Sequence, residues 1–298
     1  MTDASVPRAV TPSVGDTWLT FWFTPAPVQP LAVARILTGL LGLLLAWSYA
    51  SDLLEWFGPD GWVPVDVAKS WRPRWGMSLY DAAVTPGQVQ AMFGGTVAAL
   101  VAVTIGLGSR LASVVAAVLW ASLLHRGPML VGPADDCLSV LLWCLAVGPC
   151  GNAWSVDAWL ADRAGRRLVD RSSWARVSWG LLLVHASVIT LAALLAQVRG
   201  DVWWDGTAAW WLASRAGAID LRAWYLTSEY LLNLVTHAIV AFEIAFAVSL
   251  WFEPTRQAVA WVALVAWPLV GMLAGEPLWG AAMAIFAVPC AMDDISRR

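Results

Sequence analysis

Lysine is almost missing from this sequence. Lys69 is the only one, although 18 lysine and arginine residues are present together in 298. Charge of either sign is also sparse, at 13% of residues against the usual 25% or so of soluble domains. That shortage argues against a soluble globular chain, and the scattered basic residues leave no nucleic-acid footprint. Cysteine is limited to Cys137, Cys144, Cys150 and Cys290, with neither CxxC nor Cys/His metal spacing, so free thiols acting as small apolar side chains are expected and no metal is. The P-loop, the Rossmann glycine fingerprint, the GxSxG elbow and the zincin motif are all missing, which removes the common nucleotide-dependent and hydrolytic chemistries. Without matched repeats or paired broken helices, the transporter plan has little support. No basic segment leads into an apolar core with a cleavage site, so no removable signal peptide is expected.

What is present is apolar sequence in long runs. Hydrophobic residues make up 59% of the chain, and 22 tryptophans stand against 4 tyrosines and 8 phenylalanines. About 20 apolar residues cross a bilayer, and indole favours the headgroup boundary. The expectation is an all-α, polytopic membrane bundle of about eight transmembrane helices, at 31–52, 90–108, 111–127, 135–149, 176–197, 230–252, 257–274 and 277–292. Two long polar connections, 51–87 and 197–229, interrupt the pattern, and 1–298 reads as a single domain with 1–15 a disordered cytoplasmic tail.

Arginine sets the expected orientation. Arg8, Arg110, Arg163, Arg166, Arg167, Arg171, Arg176, Arg256, Arg297 and Arg298 fall on the side of both termini, close to the spans. Basic residues near spans favour the cytoplasm, so both termini are expected inside a cell membrane and the two long loops outside. "FGPDGWVP" (57–64), "LHRGPMLVGPADD" (124–136) and "VRGDVWWDGTAAWW" (198–211) then gather at the outer face, while "GNAWSVD" (151–157) lies at the inner.

Ionisable residues inside hydrocarbon need a partner, a wet cavity or an interfacial position. Arg35 either snorkels or ties the bundle together through carbonyls. His185 and Glu243 fall near the middle of their helices, with His237 nearer the outer end. His237 and Glu243 are six residues apart and diverge by about a third of a turn, so they form no metal-binding face of the HExxH kind. They are either satisfied structurally or form a proton-handling pair on a cavity. Asp135 and Asp136 either cap the fourth helix or pair one of their carboxylates with Arg126. Asp205 is placed to cap a short helix beginning near Thr207, with Trp203, Trp204, Trp210 and Trp211 in the headgroup zone.

The order of these pieces resembles the HTTM family, the membrane domain shared by bacterial proteins and the vitamin K-dependent gamma-glutamyl carboxylases. The resemblance runs through "FWFTPAPVQPLAVARILTGLLGL", "FGPDGWVP", "HRGPMLVGPADDCLSVLLWCLAVGPCGNAWSVD", "VWWDGTA" and "LVTHAIVAFEIAFAV", over about residues 15 to 292. It implies a working face outside the cytoplasm, a quinone or vitamin K-like hydroquinone as cofactor, and a secreted peptide as substrate. In the carboxylases a lysine shortly before the tryptophan matching Trp203 starts the reaction. Here the region reads "AQVRGDVWWDG", offering Gln197 and Arg199, and arginine stays protonated where a lysine can act as base. His237 matches a histidine of the carboxylase pattern, whereas "VAWPLVGM" lacks the histidine the family often carries in its seventh helix. The chain also stops short of a soluble peptide-docking domain.

The candidate catalytic residues are therefore His237, Glu243 and Asp205. Candidate binding residues are Arg35, Arg126, Asp135, Asp136, Arg199, Trp203, Trp204 and His237. The leading expectation is an outward-facing cavity for a quinone, lipid or peptide, with glutamate carboxylation disfavoured by the missing lysine. The alternatives are an accessory protein in maturation or export of a secreted peptide, and a non-enzymatic partner of another membrane protein.

Overall fold

A computed structural model of the chain describes residues 14–74, 76–218 and 228–292. The expected tail at 1–15 lies almost wholly outside the described residues. Each of the eight helices expected from the apolar runs is present: α2 (Gln29–Ala50), α5 (Pro86–Ile105), α6 (Ser109–Arg126), α7 (Pro133–Val147), α9 (Ser173–Val198), α12 (Glu229–Ser249), α13 (Glu253–Ala274) and α14 (Pro277–Ala291). Their ends differ from expectation where local chemistry outweighs the hydrophobic pattern. α5 begins at Pro86 rather than 90 because Thr85 and Gln88 form a reciprocal capping box ahead of an N-terminal proline.

Shorter helices lie at the ends of the bundle: α1 (Val14–Phe23), α3 (Leu53–Phe57), α4 (Val65–Trp71), α8 (Val156–Arg163), α10 (Asp201–Trp204) and α11 (Ala208–Ala213). A two-residue strand pair, β1 (Ala26–Pro27) with β2 (Arg171–Ser172), ties the start of α2 to the start of α9. The long helices alternate in direction. We call the end holding the start of α2, the α5–α6 turn and residues 148–172 the basic end, and the opposite end the tryptophan-rich end.

Five helices, α2, α5, α9, α12 and α13, are long and apolar enough to cross a membrane. The exposed surfaces of these helices support the same environment. The apolar window of α12 has a mean hydropathy of 1.9 yet is only 28% buried within the protein, and Leu37, Leu40, Leu44 and Trp47 form an exposed stripe along α2. Apolar faces this extensive need lipid around them. α7 and α14, at 15 residues each, span roughly 22 Å at 1.5 Å per residue, less than the hydrocarbon thickness.

Small residues set the closest helix contacts. A Cβ on Gly39 would run into Thr104 of α5, and one on Gly280 would meet the backbone of α13 at Gly271. α14 is nearly enclosed, with every residue from Ala282 to Ala291 buried, and it packs on α2, α7, α9 and α13. Many of the tryptophans are exposed, but Trp120, Trp179 and Trp267 are core residues at 0%, 5% and 0% exposure, not the anchors expected of them. All four cysteines are buried and none is in a disulfide.

Helix α1 was not expected from the sequence. It lies along α9, where Arg176 donates from Nε to the Phe21 carbonyl at 2.6 Å and Ser173 donates to the Phe23 carbonyl at 2.7 Å. A Cβ at Gly180 would strike the Trp22 ring, so the missing side chain creates the seat for that indole. Trp18, Leu19 and Phe23 stay exposed.

Candidate functional site

The structure sorts the candidate residues into three separate places. At the basic end, Arg35 is fully buried one turn and a half into α2 and donates from Nη2 to the Trp154 carbonyl at 2.7 Å, with Nη1 at 3.5 Å from Ser109 Oγ. It ties the bundle together, which is one of the two roles open to it from sequence. Beside it, Asp157 accepts from the Gly108 N–H at 2.7 Å, the Ser109 N–H at 2.9 Å and the Ser109 hydroxyl at 2.8 Å. Burial pushes this carboxyl upward, but the backbone and hydroxyl donors of Ser109 and Gly108, together with the Arg35 charge, hold it below the usual carboxylate range. Nothing at the sequence level assigned Asp157 a role, although Ser155, three residues before Ala158, caps α8 in a readable pattern.

At the tryptophan-rich end, the first long loop folds down onto α6 and α7. Arg126 is buried and donates from Nη2 to the Gly58 and Val63 carbonyls at 3.0 and 2.9 Å, holding the "FGPDGWVP" turn. The expected alternative, an ion pair between Arg126 and Asp135 or Asp136, does not form. The loop's own ion pair joins Arg72 to Asp81. Asp135 caps α7: its Oδ2 accepts from the Gly132 N–H at 2.8 Å and from the Tyr49 hydroxyl at 3.0 Å. Tyr49 stands edge-on to Phe57, whose ring fills the space a Gly127 side chain would need. Asp136 is exposed. These residues therefore clamp loop to bundle.

The third place is the second long loop, where the chain leaves α9. Gln197, near the end of α9, donates from Nε2 to Oε2 of Glu243 on α12 at 2.7 Å. Glu243 is 2% exposed, and Gln197 Oε1 is buried with no hydrogen-bond partner. Beyond this pair the chain turns through α10 and α11, which sit beside the first half of α12. Thr236 locks them there, accepting from the Ala209 N–H at 3.0 Å and donating to the Gly206 carbonyl at 2.8 Å. Gly206 has φ +80°, and a Cβ there would overlap Asn233, so this crossing requires glycine. Asp205 closes the turn ahead of α11 by accepting from the Thr207 N–H at 2.9 Å and hydroxyl at 2.6 Å; it was expected to cap the helix itself, but the N-cap position is Thr207 and no side chain caps the helix.

Trp203 packs into a small apolar cluster with Ile239 and Leu273, whereas Trp204 is 69% exposed and donates to the Val198 carbonyl. His237 is also exposed, and its Nδ1 faces the Asn233 carbonyl of the preceding turn at 2.8 Å. Of the two alternatives for His237 and Glu243, the structure shows the structural one, with each satisfied separately rather than paired: one side chain faces out of the bundle and the other into it, as their angular separation on the helix allows. Arg199 too is exposed. His185 is satisfied by the Leu181 carbonyl at 2.8 Å, with Cys144 Sγ at 3.8 Å. The partnership of Gln197 with Glu243 is the site feature missed by sequence reasoning. Its signal was the isolation of each polar residue within an apolar helix.

Among the described residues no group of three His, Cys, Asp or Glu side chains is placed to hold a metal ion. Comparison of the chain with protein-family models, curated proteins and solved structures gave no match.

Proposed function

We propose that the chain is a multi-pass membrane protein of HTTM-like architecture that binds a quinone, or a lipid or peptide group of similar polarity, at the Gln197–Glu243 pair beneath α10 and α11. The observation carrying this reading is the unsatisfied Gln197 Oε1 beside a buried carboxyl. Buried polar atoms rarely stay unpaired, and the hydroxyl of a hydroquinone supplies the donor that this oxygen lacks. Gln197 occupies the stretch where the carboxylase resemblance calls for a lysine. An amide binds and orients but does not take a proton, so the reading favours ligand positioning over glutamate carboxylation. Glu243 is the group on hand to accept one.

The five apolar helices support a membrane location. In this reading α6, α7 and α14 complete an eight-span bundle, and the arginines crowded at the basic end put that end and both termini in the cytoplasm. The test is to purify the protein in detergent and identify co-purifying quinones by mass spectrometry. Retention by the parent protein and loss in Gln197→Leu is the expected result. Absence of any quinone, with no stabilisation by added hydroquinone, overturns the reading.

The exposed Trp204, Trp210 and Trp211 favour a second reading, in which this end docks a peptide or another membrane protein during maturation or export. That role predicts a changed mass or secretion of a peptide when the gene is deleted, with no dependence on Glu243.

A further inference from the structure

The basic end holds a cavity of about 520 Å³ that none of the roles above uses. It is lined at one side by the turn into α6, with Ser109 and Arg110, and at the other by Asn152, Asp157, Leu160, Arg166 and Leu168. Its volume falls within the range of small-ligand sites, roughly 300–1,000 Å³.

Two arginines and several leucines share this wall. Arg110 donates from Nε and Nη2 to the Gly148 and Val147 carbonyls at 3.1 and 2.9 Å, which fixes the guanidinium at the end of α7 and leaves Nη1 to donate elsewhere. Arg166 is exposed, and its side chain makes no hydrogen bond or ion pair among the described residues. The acidic group at the cavity is Asp157, and its charge is already taken up by the Gly108 and Ser109 donors and by Arg35. Leu111 is 70% exposed, Leu160 45% and Leu168 37%, so the cavity opens onto apolar surface at the level where the helices end. Trp159 and Trp154, also exposed, mark that level as interfacial.

We propose that this cavity binds a phosphate-bearing group, with Arg110 and Arg166 as its cationic partners and Leu111, Leu160 and Leu168 as the seat for an apolar tail. The pairing of planar guanidinium donors with phosphate oxygens is a strong, charge-assisted one, and basic pockets beside membrane helices suit anionic headgroups. The inference stands apart from the Gln197–Glu243 reading, which concerns the opposite end of the bundle.

The test uses the full chain in neutral detergent, melted in the presence of a thiol-reactive dye. The four buried cysteines serve as reporters, since burial pushes the Cys150 thiol up to about 11 and keeps it unreactive until unfolding. Phosphatidylglycerol is expected to raise the midpoint, and phosphatidylcholine to leave it unchanged. Arg166→Glu is expected to melt as the parent does in phosphatidylcholine and to bind phosphatidylglycerol about tenfold more weakly. Glycerol 3-phosphate then separates the sources: a shift equal to that of phosphatidylglycerol identifies a soluble phosphate ester, and no shift identifies a membrane lipid. Native mass spectrometry counts the retained lipids independently of melting. Equal response to the two lipids, or an undiminished phosphatidylglycerol response in both Arg166→Glu and Arg110→Gln, overturns the proposal.

Discussion

Arg35 holds the carbonyl of Trp154 at 2.7 Å, and Trp154 is the one non-glycine among the described residues with a left-handed backbone, at φ +47°. A bulky residue in that region is strained, so the guanidinium and the turn it supports are coupled. The same guanidinium lies against Gly106, itself at φ +73°, where any Cβ would overlap it. Arg35→Leu is expected to destabilise the protein by about 3 kcal/mol, because the part-buried Trp154 carbonyl loses its donor and the strained turn its support. Gly106→Ala is expected to destabilise it comparably, from a different cause. Thermal melting in detergent checks both.

The Gln197–Glu243 pair allows a double-mutant test. Gln197→Leu leaves a buried carboxyl without its donor and is expected to cost about 1–3 kcal/mol. Replacing both residues with leucine removes the unsatisfied group and is expected to recover most of that loss. If the double variant is as unstable as the sum of the singles, the two side chains do not act as a unit. Glu243→Gln, which keeps size and hydrogen bonding, is expected to preserve stability while abolishing any step that needs a proton acceptor. Ligand retention and turnover, measured side by side, separate these effects.

Asp157 gives the basic end an acid limit. Its folded-state carboxyl titrates below the ordinary range, so the stability it contributes is fully present above the unfolded value and disappears as pH falls through the folded one. Asp157→Asn is expected to lower the melting midpoint at neutral pH and to flatten its decline below about pH 4. An unchanged acid slope in that variant would assign the decline to other carboxylates.

Orientation can be read with cysteines placed one at a time, since the native thiols are buried. A cysteine at exposed Asp60 or Trp204 is expected to react with a membrane-impermeant maleimide added to intact cells. One at Arg166 is expected to react only after permeabilisation. The reverse pattern would invert the assignment of the two ends.

Much of the bundle was legible because long apolar runs and their polar breaks record burial directly. All eight long helices follow from them, and so do the buried cysteines. Helix α1 was hidden because its docking depends on a distant void at Gly180 and on Arg176, neither of which signals a partner in sequence. The cap that Asp135 makes on Gly132 was legible locally, but its second donor, Tyr49, lies 86 residues away in the chain and was not. The pairing of Glu243 with Gln197 rather than His237 was likewise a matter of which face of α12 meets α9, and a single periodicity cannot supply it. Eight helices are visible in sequence, but five meet the length and hydropathy of a span. α7 and α14, at 15 residues each, fall short of that length, and much of their surface is covered by the neighbouring helices.

The enclosure of α14 has a consequence for biosynthesis. Its packing partners α2, α7, α9 and α13 all precede it in the chain, so the slot they surround stays open until α14 has left the ribosome. Until then, the inner faces of four finished helices are exposed to lipid or to one another. This part of the core is thus closed only when α14 arrives, and assembly quality hinges on the Gly271–Gly280 contact that lets this stave slide in beside α13.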